Sequence, residues 1–340
     1  MQLVTRTTIT ALSPIQGAER IETATVLGWS AVVRKGEFQV GEEIIFVFPD
    51  TFIPKKYIDS SAPPDEKVRL KTIRLRGQYS AGLILKAALG EGIDHDKLSE
   101  HLGIEKYEPP VPPCLAGTAI GSFPTHLVPK TDEDNYRSNP GVWDELNEAR
   151  FLGVDLILTT KYDGTSATYI HNEQTINKSA FRVCSRNLEL TYDAENTYWK
   201  IADKYKIHEK LQALNRYVAI QGEIVGEGIQ GNNIGIKGQE FYIFLVKDLV
   251  SGEWLSWDDT KLLAAQLGIP TVPEVARFSE IPTKESLQEM VNALKYPSGS
   301  FVEGGVLRTA KPIHSNVLAK SWWSVKIMNE PYDSKKGGNT

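Results

Sequence analysis

Cysteine is almost missing from this 340-residue chain: there are two, Cys114 and Cys184. Neither stands in a CxxC or Cys-His spacing, which argues against a disulfide framework or a zinc site and fits a reducing, intracellular setting. No apolar run is long enough to span a bilayer, so no membrane partner is expected. The opening residues, MQLVTRTTIT, lack the apolar core of a signal peptide. A basic excess is missing too, since 38 Lys and Arg against 43 Asp and Glu leave a net charge of −5. Any nucleic-acid contact must therefore use a local patch. Internal repeats and low-complexity segments are absent. What remains is a globular composition, 41% hydrophobic and 24% charged, with length enough for two domains at about 150 residues each.

The pattern along the chain reads as α+β. Residues 1–110 hold runs rich in Val, Ile, Thr and Phe, namely LVTRTTITAL, ERIETATVLGWSAVVRKGE, EEIIFVFPDTFI and VRLKTIRLRGQ. Gly- and Pro-containing breaks separate them, so four or five short strands are expected in a small closed barrel, OB-like or SH3-like. Residues 111–145, entered through EPPVPPCLAG, read as a connecting linker. Residues 146–332 mix element types and read as an α+β domain on mainly antiparallel sheets. Strands are predicted at 155–161, 165–171, 180–184, 217–225, 240–248 and 301–308. Helices are predicted at 195–214, 258–267 and 283–295; in the last, Leu287, Met290, Val291 and Leu294 share one face. Residues 333–340 are expected to form a disordered tail.

Between the strands at 155–161 and 165–171 stands Lys161-Tyr162-Asp163-Gly164. Lys-x-Asp-Gly arises by chance in roughly one chain in twelve of this length, so alone it reads as a lysine beside an Asp-Gly turn. Further stretches change that reading: Arg186 in CSRN, Glu223 in IQGEIVG, Phe241 and Phe244 in EFYIFLVKDL, Glu303 in FVEGGVLR and Lys326 in WWSVKIMN. Each has a bland explanation as a strand end, a hairpin turn or a solvated side chain. Together they are what one reaction needs. A lysine amine attacks phosphorus only when neutral, and moving its pKa from about 10.4 to about 7.5 takes roughly 4 kcal/mol of differential stabilisation. A nearby cation can supply this. Asp163, Glu223 and Glu303 can hold hard Mg²⁺ or Mn²⁺, directly or through water. Arg186 and Lys326 offer positive charge for phosphate and ribose, and Phe241 offers a flat face for a purine.

Taken in order, KYDG, SRN, QGEI, FYIFLVKD, EGGVLR and SVKIMN resemble the signature elements of the covalent nucleotidyltransferases, the superfamily of ATP-dependent DNA and RNA ligases and capping enzymes, with an ATP-grasp-like ligase domain. The resemblance covers nearly the whole chain. It is closest to ATP-dependent RNA ligases with an N-terminal OB domain, sometimes called family five; VFPDTFIP, VRLKTIRLRGQYSAGLIL, IEKYEPP and FPTHLVPKTDEDN also match that branch. It implies three steps: Lys161 attacks the α-phosphate of ATP, AMP passes to a 5′-phosphate, and a 3′-OH displaces AMP. By position, the resemblance makes Lys161 the nucleophile and gives metal or ribose contacts to Asp163, Glu223 and Glu303. It gives ribose or phosphate contacts to Arg186, adenine stacking to Phe241 and the α-phosphate to Lys326. Thr160 and Gly164 complete the ATP-binding set. Thr160 stands where many RNA ligases carry Glu, and Ser324 where several carry a further Lys, a loss that Lys320 can offset. The implied partner is nicked or broken RNA, duplex in form, handled by a monomer. Two alternatives stay open: a DNA ligase of the same superfamily, and a non-catalytic RNA-binding OB protein.

The best local patch for nucleic acid is KVRLKTIRLRGQ, with Lys67, Arg69, Lys71, Arg74 and Arg76. Lys67, Arg69 and Lys71 alternate with Val68, Leu70 and Thr72, which gives a strand one basic face. A phase shift at Thr72-Ile73 suggests a bulge. Trp29 and Phe38 are expected in the barrel core.

Overall fold

The computed structural model describes residues 3–107, 119–139, 141–172 and 180–337. It divides into two compact units. The connector EPPVPPCLAG lies outside the described residues.

The first unit comprises residues 1–109, joined by 136–140 and 330–340. Its strands are β1 (Val4–Thr8), β2 (Ala11–Pro14), β3 (Ile21–Val26), β4 (Trp29–Arg34), β5 (Glu43–Val47), β6 (Thr51–Pro54), β7 (Lys67–Leu70), β8 (Ile73–Leu75), β9 (Gln78–Ser80), β10 (Leu83–Lys86) and β11 (Glu105–Lys106). They pair as β1-β5-β10, β2-β3-β4, β11-β6-β7 and the hairpin β8-β9. Alternation along β4 and β5 turns Trp29, Ala31, Ile44 and Phe46 into one core, which Phe38 and Phe48 join. Trp29, Phe46 and Phe48 pack with ring centroids 5.2–6.5 Å apart, as tilted and edge-on aromatic pairs do. This is the OB-like barrel. A short helix, α1 (Leu98–His101), follows it. Residues 333–337 of the segment expected as a disordered tail are helical, and 338–340 lie outside the described residues. A helix spans Glu330–Gly337 and belongs to this unit. Pro331 near its start and acidic Glu330 and Asp333 in its first turn suit a helix N-terminus, a signal hidden by the polar composition of the segment.

The second unit comprises residues 110–135 and 141–329. A six-stranded sheet runs β12 (Ala119–Ser122), β17 (Leu188–Leu190), β16 (Phe181–Cys184), β15 (Thr165–His171), β18 (Val218–Gly226) and β19 (Gln239–Asp248). A five-stranded sheet runs β13 (Asp134–Asn135), β22 (Ser324–Met328), β21 (Gly304–Thr309), β14 (Leu156–Lys161) and β20 (Glu274–Phe278). All pairs are antiparallel except β13 with β22. Two short strands, β12 and β13, lie within the segment expected as a linker. The predicted helix at 195–214 is two, α2 (Thr197–Tyr205) and α3 (Ile207–Ala213), because Lys206 adopts φ 50° and breaks the helical run. The helices α4 (Trp257–Leu267) and α5 (Lys284–Ala293) start on Ser256 and Thr283, whose hydroxyls accept from the N–H groups of Asp259 and Ser286. One face of the six-stranded sheet buries Ile220, Ile224, Phe241, Ile243 and Val246 under α2, α3 and α4. The other turns Val225, Tyr242 and Phe244 toward Ile157 and Tyr162 of the second sheet. The functional residues gather on that inner side.

Candidate functional site

Lys161 ends β14, opposite Gly304 of β21. Period-2 alternation puts it on the face shared by Ile157 and Thr159, toward the other sheet. Its amine donates a hydrogen bond to Glu303, which directly precedes β21. Across the gap, Glu223 of β18 pairs with Ser166 of β15. Asp163 sits in the turn between β14 and β15. Its N–H donates to the Tyr296 hydroxyl at 3.0 Å, and its carboxylate accepts from Asn233 Nδ2 at 3.0 Å.

The charges of these groups are coupled. Burial pulls the Lys161 ammonium down, but the charges of Glu303, Glu223 and Asp163 outweigh it and hold its pKa above the ordinary range. Burial, with the charges of Glu303 and Asp163 adding to it and those of Lys161 and Arg186 opposing, pushes the Glu223 carboxyl up to about 8. Three acids thus converge on one amine, with Arg186 near enough to act on the same carboxylate.

Glycine is required where the turn meets Glu223. A Cβ added to Gly164 would lie 2.3 Å from the Ile224 carbonyl oxygen and 2.8 Å from Glu223 Cγ. The Asp-Gly pair is therefore the packing contact that lets β15 approach β18, as well as a turn signal.

The structure brings together Lys161, Asp163, Gly164, Glu223 and Glu303, with Arg186 linked through its charge. It treats the other expected residues differently. Lys326 lies on β22 opposite Val306, which lies opposite Thr159. It shares the face of Lys161, but strand spacing and rise put the two Cα atoms roughly 12 Å apart. Thr160 falls on the reverse face of β14. Its cross-strand partner is Gly305, whose Cβ position meets Leu158 and Val291 of α5, so its side chain does not join the group. Phe241 also points the wrong way. It is fully buried, pairs with Ile224 and meets Tyr169 edge-on at 5.0 Å in the helix-covered core. Glu223 is opposite Tyr242, so alternation turns Phe241, expected to stack on adenine, to the helix-covered side of the sheet, away from Lys161 and Glu223.

Two aromatic side chains occupy the inner side instead. Tyr242 packs edge-on against Tyr162 at 4.8 Å. Phe244 is the extra residue of a bulge, where Gln221 pairs with Leu245 and Gly222 with Ile243, and bulges re-aim side chains. Arg308, wholly buried, donates to the Phe244 carbonyl oxygen at 2.6 Å. Sequence reasoning missed Phe244's placement, Arg308, Asn233 and Tyr296; the bulge leaves no mark in the hydrophobic pattern. The segment 129–135 also crosses this side. The Thr131 hydroxyl bonds Ser166, Asp132 pairs with Arg186, and Lys320 pairs with Asp134 at 2.7 Å.

In the first unit the basic run is largely neutralised at its start. Lys67 pairs with Glu105 at 2.6 Å, and Arg69 pairs with Asp50 at 2.6 Å while its guanidinium lies 3.8 Å from the Tyr107 ring centre. A continuous basic face is not formed, because β7 ends at Leu70 and the chain turns into the β8-β9 hairpin. Arg74 and Arg76 are exposed there, and Arg74 donates to the Gly77 carbonyl oxygen at 2.9 Å.

A family model for RNA ligase matches residues 154–322, and an OB-fold domain model matches residues 3–87. Among solved structures, an apo Naegleria gruberi RNA ligase is 31% identical, with 99% of this chain and 98% of that chain covered and a TM-score of 0.83. The same ligase with ATP and manganese is 32% identical over 98% of each chain, again at 0.83. With pyrophosphate it is 31% identical over 99% of each chain, at 0.82. No curated protein matches. This chain belongs to the RNA ligase family. As an RNA ligase it is an enzyme whose substrate is RNA; the OB-fold match falls within the first unit and the RNA ligase match within the second. Among the described residues of this ligase, no helix is long and apolar enough to cross a membrane.

Proposed function

We propose that this ligase seals RNA breaks between a 3′-OH and a 5′-phosphate, using ATP and Mg²⁺ or Mn²⁺, with Lys161 as the nucleophile that carries AMP. The observation that carries this reading is the Lys161 amine, hydrogen-bonded to Glu303 and electrostatically coupled to Glu223 and Asp163. A structural lysine would need one partner, whereas here Glu303 holds the amine and two more acids, Asp163 and Glu223, stand close enough to act on it. Among the described residues no three such side chains form a ready-made metal cage. The donor set still fits magnesium or manganese, which take one or two carboxylates and complete their shell with phosphate oxygens and water. Bound there, the cation would offset the carboxylate charge that keeps Lys161 protonated and would stabilise the leaving pyrophosphate.

The chain's own residues do the rest. Glu303 accepts the Lys161 hydrogen bond, so it aims the amine and is the nearest base for its proton. Asn233 and Tyr296 fix Asp163. Arg186 is held by Asp132 and becomes a phosphate or ribose contact once the nucleotide competes for it. Phe244, in place of Phe241, is the base shelf, and Lys326 reaches the α-phosphate along the inner face. These groups all come from one chain, so a monomer suffices, and the cysteine-poor composition supports an intracellular setting. Nicks in duplex RNA are the proposed physiological form of the substrate.

Incubation with α-labelled ATP and Mg²⁺ or Mn²⁺, followed by a denaturing gel, tests the nucleophile. Wild type should carry label that Lys161→Ala lacks. An unlabelled wild type with every divalent metal, or a labelled Lys161→Ala, would overturn the assignment. Sealing of an all-DNA nick as fast as one ending in a 3′ ribonucleotide would overturn the preference for RNA.

A further inference from the structure

Arg308 is a buried charge with no part in the reaction proposed above. It stands on β21 opposite Ile157 of β14 and Ser324 of β22, two residues along from Val306, so alternation gives it the face of Lys161. The residue is 1% exposed. Burial works against its charge, and Glu133 is the carboxylate that opposes this. Its Nε–H is buried without a hydrogen-bond partner. A buried guanidinium is costly when it is incompletely paired, and a well-packed apolar side chain often serves stability as well or better. What Arg308 does have is one short bond and a rigid frame. Its Nη1 donates to the Phe244 carbonyl oxygen at 2.6 Å. The guanidinium lies 5.8 Å from the ring centre of Trp257 and 5.7 Å from that of Trp322, within the range of cation–π attraction. Both indoles are themselves fixed, Trp257 by donating to Glu274 at 2.7 Å and Trp322 by donating to the Thr309 carbonyl oxygen at 3.0 Å. The donor is thus held in place on the second sheet. Its acceptor belongs to the extra residue of the β18–β19 bulge. Such a residue drops out of the strand ladder, so its carbonyl needs a donor from elsewhere. Arg308 supplies that donor at the peptide that carries the Phe244 ring.

We propose that Arg308 is a positioning residue for ATP: its hydrogen bond pins the bulged peptide, and the pinned peptide holds the Phe244 ring where adenine stacks. The guanidinium itself touches neither base nor phosphate. The proposal rests on the reading of Phe244 as the base shelf and says what keeps that shelf in place.

The test is the rate of AMP labelling of the full chain against ATP concentration, with inorganic tripolyphosphate, which has no base, as a competing inhibitor. Arg308→Met removes the donor and the charge at similar length. It should raise the half-saturating ATP concentration about fivefold to tenfold, the scale of one hydrogen bond, with the maximal rate within about twofold of wild type. Inhibition by tripolyphosphate should not change. Arg308→Lys, which keeps the charge on a shorter donor, should raise the half-saturating concentration only about threefold, and it carries the test if Arg308→Met fails to fold. Adding Arg308→Met to Phe244→Ala should cost nothing beyond Phe244→Ala alone. Equal weakening of ATP and tripolyphosphate would put the effect of Arg308 on the phosphates and overturn the proposal. An unchanged ATP response, or losses that multiply in the double variant, would overturn it too. Phe244→Ala by itself tests the shelf. An unchanged ATP response there refutes the base-shelf reading, whereas a weakened one beside unaffected Arg308 variants refutes the role of Arg308 alone.

Discussion

Replacing Glu223 by glutamine should stabilise the protein, and by more as pH rises. Burial, with Glu303 and Asp163 adding to it, lifts this carboxyl from its ordinary 4.5 to about 8. Across that window the folded protein keeps a proton that the unfolded chain has already released. Stability falls with pH wherever the folded state binds more protons. The loss therefore begins near pH 4.5 and is complete above about pH 8. At about 1.36 kcal/mol per unit, the shift sets a ceiling of about 5 kcal/mol. Relaxation and water entry around the partly exposed site lower this, so about 2–3 kcal/mol is expected at pH 8.5. The amide that takes the carboxylate's place would fill the same space under Gly164 without ionising. Urea melts of both proteins at pH 5, 6.5 and 8.5 measure the difference. It should lie within about 1 kcal/mol of zero at pH 5 and favour the variant at pH 8.5. A constant offset, or a wild type that gains on the variant with rising pH, would refute the picture of a carboxylate crowded by its neighbours. Loss of AMP labelling in the more stable variant would identify the crowding as a functional cost.

The remaining expectations follow from packing and charge. Gly164→Ala should destabilise by about 2–4 kcal/mol, because its methyl would meet the Ile224 carbonyl; an unchanged melting curve would contradict the close approach of β15 to β18. Phe241→Ala should cost about 3–5 kcal/mol of stability, whereas Phe244→Ala should leave stability nearly intact and raise the KM for ATP about tenfold or more. The reverse pattern would restore Phe241 as the base shelf. Arg74→Ala combined with Arg76→Ala should flatten the salt dependence of RNA binding by about two phosphate contacts. Lys67→Ala combined with Arg69→Ala should do less, since Glu105 and Asp50 already hold those cations.

Much of the ligase unit was legible because its strands are strongly patterned. The runs at Leu156–Lys161 and Thr165–His171 bracket Lys161 and Asp163, and two acids named from the downstream motifs, Glu303 and Glu223, act on the Lys161 amine in the structure. What escaped were facts of register. Phe241 and Phe244 stand three residues apart in one apolar run and so fall on opposite faces of β19, and only the register with β18, Phe241 opposite Ile224 and Tyr242 opposite Glu223, decides which of them turns to the inner side. Likewise Lys67, Arg69 and Lys71 alternate as a basic face should, yet the carboxylates that hold Arg69 and Lys67, Asp50 and Glu105, come from elsewhere in the chain. The helix at Glu330–Gly337 was hidden for a related reason. Its segment carries too little apolar periodicity to read as a helix.

The charge balance at Lys161 also bears on how the proposed reaction begins. The amine is a nucleophile only when its proton has gone, and here Glu303, Glu223 and Asp163 together hold that proton more firmly than water would. An incoming triphosphate, adding negative charge, would tighten the hold. Positive charge would have to arrive with the nucleotide for the balance to reverse, and a divalent cation held by Glu303, Glu223 or Asp163 would supply it. On that reading, Lys161 would become able to attack only once ATP and its cation had arrived together.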